Sequence, residues 1–310
     1  MGDTSRTGSQ NPADGKQPLL DHTDAVSVAA SSQTDEAPSG HQFKMTQNVT
    51  TTATPYRPFP PVMKAFYQWN LSGLKVFYLC GPSGEHERLF AVEQHLGLSF
   101  SGPLAVRPGV ILYNGTSTKD RILAAASDES LAGSRPYTFN PNTIVLLPPR
   151  APGSKFMVRE TMRARAIGHK VTFQFSLDVG LEEKTRRETF EWRKITKAEK
   201  DEEAEQGGFK LLRVPSAPSS GGSNRAMASS ASSVTTVDNE SEVLALFAWT
   251  KTFSNLKHPF TLELKGNGLS GALGEPWTLA VVVTAMRLWM LHQYLKTNMP
   301  IVAASDKIRK

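Results

Sequence analysis

The segment from Pro276 to Lys296 is apolar on every side, and this feature constrains the fold more than any other. Its start resembles a helix N-terminus, because Pro276 suits the first helical position and Glu275 lies near the positive end of the helix dipole. Its few polar residues, spaced at 100° each, form no polar face, so the helix belongs in a protein core or in a membrane. The sequence predicts one helix over 276–296, ending before Pro300.

The choice between core and membrane depends on length and charge. The uncharged run Pro276–Met286 has 11 residues, which is too short to cross a bilayer. A longer span would place Arg287 near the bilayer centre, at a cost of about 2.5–3.5 kcal/mol. We therefore expect a core helix, with Arg287 near the barrel mouth, its stem buried and its charged head in water. The alternative for Arg287 is a buried anion or carboxylate partner. A tail-anchored membrane protein that uses Trp277–Leu295 is the alternative.

Upstream of this helix, apolar and polar residues alternate with a period of two in one short segment after another. Phe173 and Phe175, for example, flank Gln174, which is typical of a strand with one buried and one wet face. Eleven segments are predicted as strands, or twelve with Ala65–Trp69. The eleven are Leu74–Cys80, Arg88–Glu93, Gly109–Tyr113, Ile122–Ser127, Thr143–Leu147, Lys155–Arg163, Val171–Leu177, Thr189–Arg193, Phe209–Val214, Val243–Trp249 and Phe260–Lys265.

The strand count and the helix together define the expected fold. A barrel of about eight strands is filled by its own side chains, whereas a larger one leaves a lumen. A 20-residue helix is about 30 Å long and would fill such a lumen. We expect a mainly β protein, built as a closed antiparallel barrel of 11–12 strands around the buried C-terminal helix.

Composition divides the chain into one domain with flanking segments. Residues 1–55 contain one aromatic residue and are rich in Ser, Thr and Gly, so we expect a disordered tail. Residues 215–241 contain nine serines and are predicted to form a flexible insertion within the domain. The domain then covers 56–300, and 301–310 form a short tail.

A pattern of about a dozen strands followed by an apolar C-terminal helix resembles the tubby-like superfamily. This superfamily includes LURP-one-related proteins and phospholipid scramblases, and the sequence is most similar to its uncharacterised fungal members. The resemblance covers about Tyr56 to Thr297 and implies a barrel threaded by its last helix. It also implies phosphoinositide binding through basic residues on the barrel surface. The segments that carry it are Arg186–Lys194 (RRETFEWRK), Gly208–Arg213 (GFKLLR) and Gly271–Trp277 (GALGEPW).

Positive charge is concentrated in one part of the chain. Between Arg150 and Lys200 there are 13 Lys and Arg against 7 Asp and Glu, and this excess equals the +6 of the whole chain. Arginine side chains match phosphate geometry, which makes these residues candidates for binding anionic headgroups. The alternative is a solvated face on which Glu182, Glu183, Glu188 and Glu191 neutralise the charge. The candidates are Arg159, Arg163, Arg165, Lys170, Arg186, Arg187, Arg193 and Lys194.

Other functional classes find less support in the sequence. His86 lies in a polar turn and matches no catalytic or metal-binding motif. The chain has a single cysteine, Cys80, which excludes a Cys-based zinc site. We therefore expect a protein that is not an enzyme and that binds no cofactor or metal. Phe190 and Trp192 alternate toward the core, where they cannot stack on nucleic acid bases. We expect an intracellular protein, cytoplasmic or peripheral to a membrane, that binds anionic phospholipid headgroups. A protein-interaction scaffold is the other alternative.

Overall fold

A computed structural model of the chain describes residues 57–68, 76–98, 102–129, 141–149, 157–168, 170–180, 184–200, 204–215, 242–250 and 257–309. These residues form twelve strands followed by two α-helices, so the predicted twelfth strand is present. The strands are β1 Val62–Tyr67, β2 Val76–Cys80, β3 Arg88–His95, β4 Gly109–Tyr113, β5 Ile122–Asp128, β6 Thr143–Leu147, β7 Val158–Ile167, β8 Lys170–Val179, β9 Arg186–Lys194, β10 Gly208–Val214, β11 Val243–Trp249 and β12 Phe260–Leu264. The helices are α1 Glu275–Gln293 and α2 Met299–Arg309.

The strands form a closed antiparallel barrel. Each strand pairs with its neighbours along the chain, and β1 closes the circle by pairing with β12, with Met63 opposite Leu262. Closure satisfies the backbone groups that an edge strand would leave unpaired. The prediction of a closed barrel is confirmed.

Helix α1 fills the barrel, as its apolar surface predicts. Trp277, Val282, Met286 and Leu291, which point in different directions around the helix, are all almost fully buried. Among the hydrogen bonds that fix the helix to the wall is that from Trp192 Nε1 on β9 to Thr284 Oγ1, at 3.0 Å. Packing on all sides is what a helix without a polar face requires.

Strands β4 to β6 depart from the expected alternation, because they are buried on both faces. A second apolar cluster on the outside of this wall includes Ile111, Ile144 and Leu104, in addition to the core within the barrel. The sequences of β4, β5 and β6 are largely continuous apolar runs, which is the pattern of a strand covered on both sides. The alternating pattern holds for β1 and β12.

Because neighbouring strands are antiparallel, successive connections alternate between the two ends of the barrel. We call the end where α1 begins the proximal end, and the end where it finishes the distal end. Helix α2 packs against β7 and β8, with Val302 fully buried, and so lies at the distal end. Of the predicted tail 301–310, residues 301–309 instead form most of α2, and α1 ends at Gln293 and not at Lys296. The predicted tail 1–55 and insertion 215–241, apart from Pro215, lie outside the described residues.

Candidate functional site

The eight predicted basic residues all lie on β7, β8 and β9, but the structure does not gather them into one patch. Arg165 on β7 and Arg193 on β9 both lie opposite Thr172 on β8, toward the distal end. Arg186 begins β9 opposite Val179, toward the proximal end. Seven residues of strand separate Arg186 from Arg193, which is roughly 23 Å. The predicted surface is therefore two groups at opposite ends of a long strand pair.

Three of the arginines on the wall are neutralised by carboxylates. Arg187 donates two hydrogen bonds, of 2.5 and 2.6 Å, to the carboxylate of Glu160. The contact with Glu160 is the main reason that the pKa of Arg187 is raised. Arg163 pairs with Glu129 at 2.7 Å. Arg193 pairs with Glu191 at 3.1 Å, as the alternative of a solvated face had allowed. Such exposed pairs contribute little stability, about 0–1 kcal/mol, but they cancel local charge.

The proximal group surrounds a nearly buried carboxylate. Glu188 accepts hydrogen bonds from Arg186 Nε and from Arg213 Nε and Nη2, the latter two at 2.7 and 2.6 Å. Burial alone would raise the pKa of Glu188, but the hydrogen bonds from Arg213 and Arg186 bring it below its ordinary value. A pocket of about 210 Å³ lies here, lined by Arg186, Arg187, Arg213 and Glu188. Arg186 and Arg213 share the single carboxylate of Glu188, whereas Arg187 is paired with Glu160. Sequence reasoning missed Arg213, because it lies on β10, outside the basic segment.

Arg165 and Lys170 differ from these residues. Both are exposed, and within the described part of the chain neither forms an ion pair. They flank the distal β7–β8 turn, where Ile167 pairs with Lys170 and Gly168 has a φ of +58°. Of the eight predicted residues, Arg165 and Lys170 are therefore two that are exposed and hold no carboxylate among the described residues.

Lys194 lies at the same end of the barrel but is half-buried. It sits opposite Phe209, and its Nζ donates to the carbonyl of Thr297 at 3.2 Å. Burial lowers the pKa of Lys194. His292, stacked on Trp249 at 3.7 Å, has its pKa lowered to about 4 by burial and then by the charge of Lys194.

The remaining candidate, Arg159, is exposed on β7. Its charge contributes, after burial, to lowering the pKa of Arg107 in the β3–β4 connection. Arg159 therefore adds positive potential to the outer wall near another cation, at a distance from the hairpin tip.

Arg287 corrects a prediction. Its side chain is 2% exposed, and its head lies inside the barrel and not in water. Its Nη2 pairs with Oδ1 of Asp128, the last residue of β5, while Lys296 Nζ binds Oδ2 of the same carboxylate at 3.1 Å. The prediction of a head in water was wrong, and the alternative of a buried carboxylate partner is the one that the structure shows, because Asp128 inside the lumen stabilises the buried guanidinium.

A polar network closes the distal end of the lumen. The Tyr67 hydroxyl accepts hydrogen bonds from Trp289 Nε1 at 2.8 Å, Gln293 Nε2 at 2.9 Å and Gln94 Nε2 at 3.0 Å. Burial raises the pKa of Tyr67, so its phenol is protonated at neutral pH. These bonds tie β1 and β3 to the end of α1 and give the network a structural role.

His86 lies in the β2–β3 turn, and Cys80 is fully buried at the end of β2. Among the residues that the structure describes, no three His, Cys, Asp or Glu side chains come together in a group that could hold a metal ion. Likewise, no helix in the described ranges is long and apolar enough to cross a membrane.

No family model, curated protein or solved structure matches this chain. The resemblance to tubby-like proteins therefore stays a prediction, whereas the barrel and its core helix are seen directly.

Proposed function

We propose that the barrel is a non-enzymatic module that binds anionic phospholipid headgroups, with Arg165 and Lys170 as its main contacts. The observation that carries the proposal is the exposed, unpaired state of these two side chains among the described residues. Each basic residue near an anionic surface contributes about 1 kcal/mol. An arginine that already holds a carboxylate contributes less, because the carboxylate is repelled by the same surface.

The proposal narrows the original eight residues to those at the distal end. Arg163, Arg186, Arg187 and Arg193 become secondary, since each is paired with an acidic side chain. Lys194 adds positive charge at the distal end, whereas Arg159 lies near the start of β7, at a distance from the hairpin tip. The resemblance to tubby-like proteins supports the same ligand class, because domains of that family bind phosphoinositides.

Nucleic acid is a weaker candidate for the anionic partner. Phe190 and Trp192, two aromatic residues of the basic segment, are fully buried inside the barrel. Single-stranded nucleic acid binding relies on exposed aromatic side chains that stack on bases. The remaining alternative is a protein-interaction scaffold without a small ligand.

The test compares two variants that remove the same formal charge from opposite ends. Arg165→Gln with Lys170→Gln should remove most sedimentation with phosphoinositide-containing vesicles. The matched control, Arg186→Gln with Arg187→Gln, should keep most of it, provided that circular dichroism shows an intact fold. Equal losses in both variants would refute the assigned contacts, and a wild-type protein without preference for charged vesicles would favour the scaffold.

A further inference from the structure

We propose that the distal end of the barrel faces the bilayer and inserts apolar side chains into the lipid interface. This inference rests on the proposed headgroup binding and adds an orientation to it. The described residues include six exposed large apolar side chains, and five of them lie at the distal end. An isolated exposed leucine is ordinary, but this segregation to one end is not. The five are Leu96, Leu98, Ile167, Tyr294 and Leu295.

These side chains project from three separate connections. Leu98 follows β3 and is 85% exposed, Ile167 ends β7 and is 59% exposed, and Leu295 follows α1 and is 59% exposed. Separate projections with polar residues between them suit a fluid lipid interface, which fills the gaps. A protein partner is better matched by one continuous apolar patch. Tyr294, beside Leu295, is a residue type enriched at membrane–water interfaces.

Leu295 supplies an independent observation. Its φ is +59°, in the left-handed region that glycine adopts without strain and leucine does not. The residue follows the end of α1, where a helix terminus usually carries glycine. The backbone conformation of Leu295 therefore lowers the stability of the fold. Exposure of its apolar side chain to water is unfavourable as well. Contact with lipid gives this side chain an apolar environment.

Charge indicates which bilayer the distal end fits. Arg165 and Lys170 flank Ile167, so apolar and basic groups share the hairpin tip. This combination of apolar and basic residues is the pattern of interfacial binding to anionic lipid.

A dye placed at chosen positions tests the orientation. Cys80 is the single cysteine, it is fully buried, and burial raises the pKa of its thiol to about 11. A thiol-directed, polarity-sensitive dye should therefore label Leu98→Cys selectively over Cys80. Its emission should shift to the blue with anionic vesicles. The matched control is Leu269→Cys, because Leu269 is 53% exposed at the proximal end, and its dye should not shift.

A second variant separates a lipid role from a structural one. Leu295→Gly removes both the side chain and the backbone strain, so the melting temperature should stay the same or rise. Vesicle affinity should nevertheless fall about threefold to tenfold, as expected for losing one apolar contact. Leu269→Ser should leave vesicle affinity unchanged. A Leu295→Gly variant with wild-type affinity would contradict insertion at this position.

The outcomes distinguish this inference from the proposed function. If the wild type sediments with anionic vesicles but the dye at position 98 does not shift, end-on insertion is wrong and headgroup binding stands. If the wild type does not sediment at all, the proposed function fails. If light scattering shows a dimer that Leu98→Ser dissociates, the apolar side chains bind a second copy of the chain and the inference is overturned.

Discussion

The substitution Asp128→Asn tests the polar contact inside the barrel. It leaves the buried Arg287 with Thr143 Oγ1 at 3.4 Å and Met290 Sδ at 3.3 Å, neither of which carries a charge. Lys296 loses its ion pair with the same carboxylate. Removing one partner of a buried pair costs about 3–5 kcal/mol, because the other charge remains in a low-dielectric site. We expect Asp128→Asn to be among the most damaging single substitutions in the barrel.

The magnitude can be measured by thermal unfolding. For a domain of this size, each kcal/mol shifts the melting temperature by about 2–4 °C, so the expected loss is about 6–20 °C. The control is Asp128→Asn combined with Arg287→Met, which removes the unpaired guanidinium and should recover much of the loss. A melting temperature within 2 °C of the wild type for the single variant (~0.5–1 kcal/mol) would refute a buried, coupled pair.

Three further predictions follow from the fold. A chain that ends at Gly274 should aggregate, because the barrel would expose its lumen; a monomeric, well-folded product in gel filtration would contradict the role of α1 as the core. A variant that lacks residues 1–55, and in which a short turn replaces 216–241 between the paired strands β10 and β11, should still unfold cooperatively with little change in midpoint. Loss of soluble protein would show that one of these segments is needed for folding. His292→Phe should keep the stack on Trp249 but remove a titrating group. The folded pKa of His292, about 4, lies below its ordinary 6.5, so its stabilising contribution is complete above pH 6.5 and is lost as the pH falls toward 4. Unfolding free energies measured across this range should fall less for the variant, and parallel curves would contradict the assignment.

The fold could be predicted because its signals are local. Period-two alternation marks strands such as β8, and an apolar surface on all sides marks α1, whatever the rest of the chain does. Helix α2 was missed because Pro300 was interpreted as a stop signal. Proline is also favoured in the first turn of a helix, and here Pro300 is the second residue of α2.

The candidate site was predicted only in part, because charge pairing depends on contacts distant in sequence. Arg287 and its carboxylate partner Asp128 are 159 residues apart, and no local pattern connects them. Arg163 and Glu129 are 34 residues apart, and their contact depends on strand order. The basic composition of β7 to β9 was visible in the sequence, but which arginines are paired was not.

Sedimentation of the wild-type chain with neutral vesicles and with phosphoinositide-containing vesicles measures directly whether the barrel binds anionic headgroups. We expect binding to the anionic vesicles alone at low salt. Binding should weaken at physiological ionic strength, where exposed charges are screened over about 8 Å. Equal sedimentation with both kinds of vesicle, or binding to neither, would contradict a headgroup-binding function.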